Sequence, residues 1–419
     1  MKVLGIDICS SSIVCCVLNE LPEDVQTYYL ENEPIILESG WDAIKAIAEI
    51  DPDVAVYEPT GECYSRQWVE RLGELGIETK GVDHKRLRSY RIGLGLPDKD
   101  DFADAIAMAC YALDPLKSKA RFAFLKHRSP EIREIRALVL RLQHLDRIKN
   151  PIGNRLKQDL AIAMPEHQNK TIDDAPLFWG WLAGLRKSAR YDRDLDNTVG
   201  LGLLPETRIE AGLLTQILKE EQRITAKLGP LVNQPQFSAY NRVFSRYGFG
   251  LKIGALLLSQ IYPIQDFLGP DGKPEIIRRK GKNSGKQTTR YLSERRFLKC
   301  LGLAPVREYS GKSKKSKKGG SELCRKALWQ WCHTRVEPRT RWGKEKNMII
   351  RQWQILYGQA LENFSTKAEL IAAQETEKKL RPGGIKVKMA RAWLRRRVGL
   401  ALFHDLVDSV SQESTKGME

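Results

Sequence analysis

The sequence predicts an α/β unit followed by long-helical units. Three observations carry this: short β-rich runs alternate with helical periodicity up to about residue 115, apolar residues switch to sustained helical spacing near Ser129, and charge turns from acidic to strongly basic along the chain. The 419 residues exceed what one core usually organises, and 42% hydrophobic residues suffices for two or three compact units.

Taken in order, Lys2 to Ile8 and Ser12 to Leu18 read as strands around a Cys-Ser-Ser-Ser turn, and Val25 to Leu30 as a third strand. Trp41 to Ile50 repeats apolar residues at helical spacing, Val54 to Tyr57 is a buried strand, Tyr64 to Leu75 a helix, and Asp100 to Leu113 a closing helix. Three strands and then an alternation imply a mixed sheet over residues 1–115. Ser129-Pro130-Glu131 is a helix start, with a capping hydroxyl, Pro at the first position and an early acid. Ile135, Leu138, Leu142, Leu145, Ile152 and Leu156 then keep near-heptad spacing, broken by Lys149 and by Pro151 with Gly153. This predicts a kinked coiled-coil arm, with Leu214 to Leu228 as its antiparallel partner, in a helical linker over residues 116–235. Residues 164–210, with Trp179 and Trp181, give no assignment.

A third unit is expected over residues 236–335. Tyr247-Gly248-Phe249-Gly250 precedes an apolar helix to Ile261, either as a plain helix connection or as a turn whose amides hold a phosphate. Pro270 to Gln287 reads as a mobile loop, and Leu323 to Val336 as a helix. The last region, 336–419, carries a basic helix from Lys386 to Leu406 with Met389, Leu394, Val398 and Leu402 on one face.

The longest apolar run, Ile253 to Ile261, is interrupted by Ser259 and Gln260 and falls short of a membrane span. No secretory leader pattern opens the chain, so a cytoplasmic protein is expected, at the nucleoid if it binds DNA. Eight cysteines form no C-x-x-C pair, which argues against a zinc site or disulfide framework. Residues 1–60 hold twelve acids against Lys2 and Lys45, whereas Pro274 to Lys326 holds seventeen Lys and Arg against four acids. Such self-repulsion calls for a polyanion, and this stretch contains Arg278, Arg279, Lys280, Lys312, Lys314, Lys315, Lys317, Lys318 and Arg325 as nucleic-acid contacts.

Asp7 ends the first predicted strand, Glu58 ends the strand starting at Val54, and Asp101 and Asp104 share one helix face. Strand ends and a helix face can converge. Hard divalent ions such as Mg²⁺ take carboxylate oxygens, and two ions can stabilise both the attacking and the leaving oxygen of a phosphodiester. The bland alternative is that Asp101 and Asp104 complement a helix dipole. Asp7, within Val-Leu-Gly-Ile-Asp-Ile, resists that explanation, because an unpaired acid in a buried strand is costly.

GIDICSSSIVCCVL (5–18), YEPTGECY (57–64) and KDDFADA (99–105) resemble the three acidic motifs of the DEDD transposases of bacterial insertion sequences. EIREIRALVLRLQHL (131–145) is similar to that family's connecting helix, and FLKCLGLAPVREYSG (297–311) with GGSELCRKAL (319–328) to its serine-containing domain. Tyr247-Gly248-Phe249-Gly250 departs from the family's usual Pro-Gly-Ile-Gly, and residues 270–292 look like an insertion. The resemblance implies an RNase H-like, resolvase-type acidic domain, a helical arm and a mainly helical serine-containing domain. It further implies Asp7, Glu58, Asp101 and Asp104 as metal ligands, Ser310 as nucleophile, donor and target DNA with a bridge-type guide RNA as partners, and a homo-oligomer, dimer or tetramer. Three rival classes stand beside it. A junction-resolving nuclease would use water and leave Ser310 idle, an actin-like sugar kinase would turn over ATP, and a non-catalytic RNA-binding protein would bind without cutting.

Overall fold

The computed structural model describes residues 1–59, 62–120, 123–125, 128–280, 285, 287–310, 313–374 and 382–416. The chain divides into two compact units, Met1–Arg128 and Ser129–Glu419.

The first unit runs β1 (Val3–Ile8), β2 (Ser12–Leu18), α1 (Val25–Glu31), β3 (Ile35–Glu38), α2 (Trp41–Ile50), β4 (Val54–Tyr57), α3 (Glu62–Glu74), β5 (Glu78–Gly81), α4 (His84–Gly93), α5 (Asp101–Leu113) and the short α6 (Pro115–Ser118). Its sheet has the order β3-β2-β1-β4-β5, with β2 antiparallel to β1 and β3, and β4 parallel to β1 and β5. The central strand β1 is apolar on both faces. Leu4, Ile6 and Ile8 enter a core with Ala43, Ile47, Trp68 and Leu72, while Val3 enters another with the buried residues of α5. The alternation of strand side chains therefore puts Gly5 and Asp7 on the α5 side.

Gly5 fixes how close that helix comes. A Cβ there would lie 2.0 Å from the Ala105 carbonyl oxygen and 2.9 Å from the Ala109 nitrogen, both backbone atoms. Alanines at 103, 105, 107, 109 and 112, all buried, keep α5 slim enough for the approach. Gly5→Val is expected to push α5 off the sheet and to cost about 3 kcal/mol or more. A lowered urea midpoint for unfolding of this unit checks it; an unchanged midpoint would contradict the close packing.

Two differences from the sequence-based expectation fall here. Val25–Glu31 is a helix, not the third strand, because Asp24 caps it by accepting from the Gln26 and Thr27 amides. The third strand is Ile35–Glu38. β5 and α4, unassigned from sequence, complete the sheet edge and its cover.

In the second unit α7 (Pro130–Ala163) is capped by Ser129, which accepts from the Ile132 amide. It is followed by α8 (Pro176–Leu182), α9 (Ala189–Asp196) and α10 (Pro205–Val232). Helices α7 and α10 run antiparallel, tied by Lys227–Glu134 at 2.7 Å near one end and a Thr207–Asp159 hydrogen bond near the other. The helix is not broken at Lys149 or Pro151: α7 continues through both. Lys149 interrupts the apolar pattern because it is a buried cation, held by Glu221 at 2.8 Å and Asp173 at 3.1 Å. Trp179, Trp181, Phe178 and Tyr191 form a separate core with Leu156 and Leu160.

The chain goes on through α11 (Ser238–Arg246), α12 (Leu251–Ile261), β6 (Ile276–Lys280), β7 (Gln287–Tyr291), α13 (Leu292–Cys300), β8 (Pro305–Ser310), β9 (Ser313–Lys318), α14 (Glu322–Trp331), α15 (Met348–Asn363), α16 (Ser365–Gln374) and α17 (Pro382–Lys416). Ile132, Ile135, Val139, Leu142 and Leu145 of α7 enter one core with α10, α12, α14 and α17. The apolar stripe of α7 is thus covered within the chain, by α10 and by α12, α14 and α17 besides. The turn at Tyr247–Gly250 is the plain helix connection: the Tyr247, Gly248 and Phe249 amides donate to carbonyls of α11. The Pro270–Gln287 stretch is not simply a loop, because β6 and β7 pair from Ile276↔Tyr291 to Lys280↔Gln287. β-branched Ile276, Ile277, Thr288 and Thr289 favour that pairing, and Glu275 anchors it to Arg296 of α13 at 2.8 Å.

Candidate functional site

Asp7 lies near the C-terminal end of β1, and the close seat of α5 on Gly5 brings that helix's first turn to it. One ligand atom each of Asp7, Cys9 and Asp101 lies within 4.8 Å of the others. Cys9 sits two residues beyond Asp7, and its Sγ donates to Asp101 Oδ2 at 3.6 Å. Asp7 is half-buried, and its carboxyl is pushed up to about 7, first by burial and then by the negative charges of Asp101, Asp104 and Glu58. The other three acids nominated from the sequence therefore all act on Asp7.

The other two acids already have partners. Glu58, just past β4, bonds to His84 Nδ1 at the start of α4. Asp104 is paired with Arg91 of α4, a guanidinium only 5% exposed that also holds Asp98. Burial keeps Asp104 above its ordinary value although Arg91 pulls the other way. Asp100 takes over helix capping, accepting from the Ala103 amide, which leaves the Asp101 side chain for other work.

The donor set suits an oxygen-seeking cation. Asp7 and Asp101 offer adjoining carboxylates, and a cation there would relieve the repulsion recorded at Asp7. Cys9 is a poorer donor for such an ion: burial and the neighbouring acids push its thiol up to about 11, so it stays protonated near neutrality. Sequence reasoning missed Cys9, Arg91 and His84. The i, i+2 spacing of Asp7 and Cys9 was a usable signal; Arg91 and His84 gave none, because they sit on an unassigned helix. Arg91→Gln, which takes the buried partner from Asp104 and Asp98, is expected to destabilise the first unit by about 1–3 kcal/mol. The urea midpoint of the variant checks this; an unchanged midpoint would sink it.

Ser310 belongs to the second unit, where it ends β8 and pairs with Ser313, the last register pair before the tip of the β8–β9 hairpin. Gly311 and Lys312 lie outside the described residues. Lys314, Lys315 and Lys318 are placed on β9 by backbone register, opposite Tyr309, Glu308 and Pro305, and Lys317 is exposed. Arg278, Arg279 and Lys280 line exposed β6. At the hairpin root Gly320 has φ +71°, and a Cβ there would lie 1.7 Å from the Lys299 carbonyl oxygen. Arg325 of α14 donates to the Gly302 and Gly319 carbonyls at the same root, both at 3.3 Å.

This stretch is also where a likeness to known proteins lies. Residues 285–346 match the model of the transposase IS116/IS110/IS902 family. The match supports an insertion-sequence transposase, an enzyme that cuts and rejoins DNA. Its span takes in β7, the Ser310 hairpin and α14, but neither the four acids nor β6. Among curated proteins none matches the chain. No described helix is long and apolar enough to cross a membrane.

Proposed function

We propose that the chain is an RNase H-like recombinase that moves an insertion sequence. It uses Asp7, Glu58, Asp101 and Asp104 as a Mg²⁺ centre and Ser310 as the attacking hydroxyl. The observation that carries this is the pairing of Asp7 on the central strand with Asp101 on the helix packed against it, in a chain whose 285–346 segment matches a transposase family. The mixed sheet, with β2 antiparallel to both β1 and β3 and with β1, β4 and β5 parallel, supports the RNase H-like reading. Bound Mg²⁺, as one ion or two, would supply Lewis-acid polarisation of the scissile phosphate. Asp7 and Asp101 would hold it, while Arg91 and His84 keep the outer acids oriented.

The lysines of β9 and the cations of β6 suit phosphate contact without reading sequence. Site choice then falls to a structured guide RNA, and the working form is a homo-oligomer. A nuclease using water is the second reading, because the acids are complete within the first unit without Ser310. Protein purified from cells carrying its own element is incubated with donor and target DNA, in Mg²⁺ or in excess EDTA, with and without ribonuclease treatment. Joined products that need both Mg²⁺ and RNA are expected. Joining in EDTA would defeat the metal reading, joining after full RNA removal the guide, and cutting without any joining would favour the nuclease.

A further inference from the structure

On α14, next along the chain from the serine hairpin, an indole is left at the surface. Trp329 is 39% exposed, in contrast to Trp331 two residues on, which is buried. Its ring stacks on His333 at 5.1 Å with 10° between planes, and the Arg391 guanidinium of α17 lies 5.7 Å from its centroid. Arg325, one turn earlier on α14, and Arg395, one turn later on α17, extend the same surface. Arg395 is held below its ordinary value by burial, with the charges of Arg325 and Arg391 adding to it. Glu337 offsets part of this charge by pairing with Arg391 at 2.5 Å. A half-buried Arg395 that feels the charges of Arg325 and Arg391, beside an exposed flat ring, suits a ligand with a phosphate and an aromatic plane.

We propose that Trp329, with His333, Arg325, Arg391 and Arg395, binds an unpaired nucleotide of DNA, the base on the aromatic pair and the phosphate on the arginines. A base within a duplex is covered on both faces by its neighbours, so the ring selects a strand that has been parted, as cutting and rejoining require. Arginine adds planar contact to phosphate that a lysine run lacks. The inference rests on the proposed DNA-rejoining function and assigns to it a single-strand contact separate from the lysines of β9.

The test measures binding of a labelled thymidine oligodeoxynucleotide of about twelve residues, its duplex, and the matching oligouridine by the full-length protein. Trp329→Ala is expected to weaken the single DNA strand about tenfold and the duplex less than about twofold, with Trp329→Phe retaining most of the affinity. Arg395→Gln should lower the salt dependence of single-strand binding, which Trp329→Ala should leave unchanged. Irradiating the wild-type protein with an iododeoxyuridine-containing strand should crosslink the peptide bearing Trp329, a readout that needs no variant to fold. Equal loss on strand and duplex, no loss at all, crosslinking confined to other peptides, or a selective effect on oligouridine alone would each overturn the proposal. If the wild type binds no DNA in any form, the proposed function fails with it; if it binds and joins DNA while Trp329→Ala behaves as wild type, this inference alone fails.

Discussion

Asp7→Asn is expected to abolish DNA cleavage, by more than the roughly 100-fold that loss of an outer partner costs at a metal centre, while making the metal-free protein more stable. Both effects follow from one feature. Asp7 is raised from 3.8 to about 7 because burial and three neighbouring acids disfavour its charge. The folded state therefore binds this proton more tightly than the unfolded state. Stability falls as pH rises through that window, and the full cost is present above about pH 7. Asparagine removes the charge and the cost together. Near pH 8 without metal the variant should melt above wild type, and near pH 3, where the carboxyl is neutral in both states, the two should agree to within about 0.5 kcal/mol. A proton also competes with a cation for this carboxylate, so the Mg²⁺ needed for cleavage should rise as pH drops below about 7. Differential scanning calorimetry and cleavage titrations across pH check the set. A variant that melts lower than wild type at every pH would show Asp7 to be a structural residue, and retained cleavage would remove it from the centre.

Ser310→Ala is expected to bind DNA with nearly unchanged affinity and to trap no DNA on the protein. In the proposed step the Ser310 oxygen bonds to phosphorus and one P–O bond of the strand breaks. The serine proton ends on the departing oxygen, which leaves as a free hydroxyl end. The phosphodiester is exchanged for a serine phosphodiester of similar energy, so attack by a new hydroxyl end reverses the step without ATP. A position beside the tip of a two-stranded hairpin suits such a nucleophile, because a tip can reach a phosphate that the broad surface of the unit cannot. The four lysines of β9 suit the role, since dense positive charge favours the alkoxide. Labelled target DNA, RNA and Mg²⁺ are incubated with protein, denatured and resolved. Label migrating with wild-type polypeptide and absent from Ser310→Ala is the expected result; recombination by Ser310→Ala would assign the attack to another hydroxyl or to water.

Much of the first unit was legible because its elements are driven by short-range pattern. Ser12–Leu18, Trp41–Ile50 and Val54–Tyr57 begin and end where β-rich or helical runs begin and end, since burial on one face or two imposes that periodicity. Val25–Glu31 misled because Val, Thr and two Tyr favour strands locally, while the deciding interaction was the Asp24 cap. The β6–β7 hairpin was hidden by its Gly, Lys and Arg content, which usually marks irregular chain.

The sequence by itself determined the acidic and basic division of the chain, the apolar strands, the capped long helix and the list of acids at strand ends. Those features depend on residue type and on spacing along the chain. Tertiary structure decided which acids meet: α5 could reach β1 only because residue 5 has no side chain, and that approach sets Asp101 beside Asp7. It also decided that Glu58 and Asp104 are held by His84 and Arg91, and that α12, α14 and α17 join α10 over the stripe of α7. Contacts between residues tens of positions apart depend on how elements pack, and packing is fixed by steric fit and charge in three dimensions, which no one-dimensional period records.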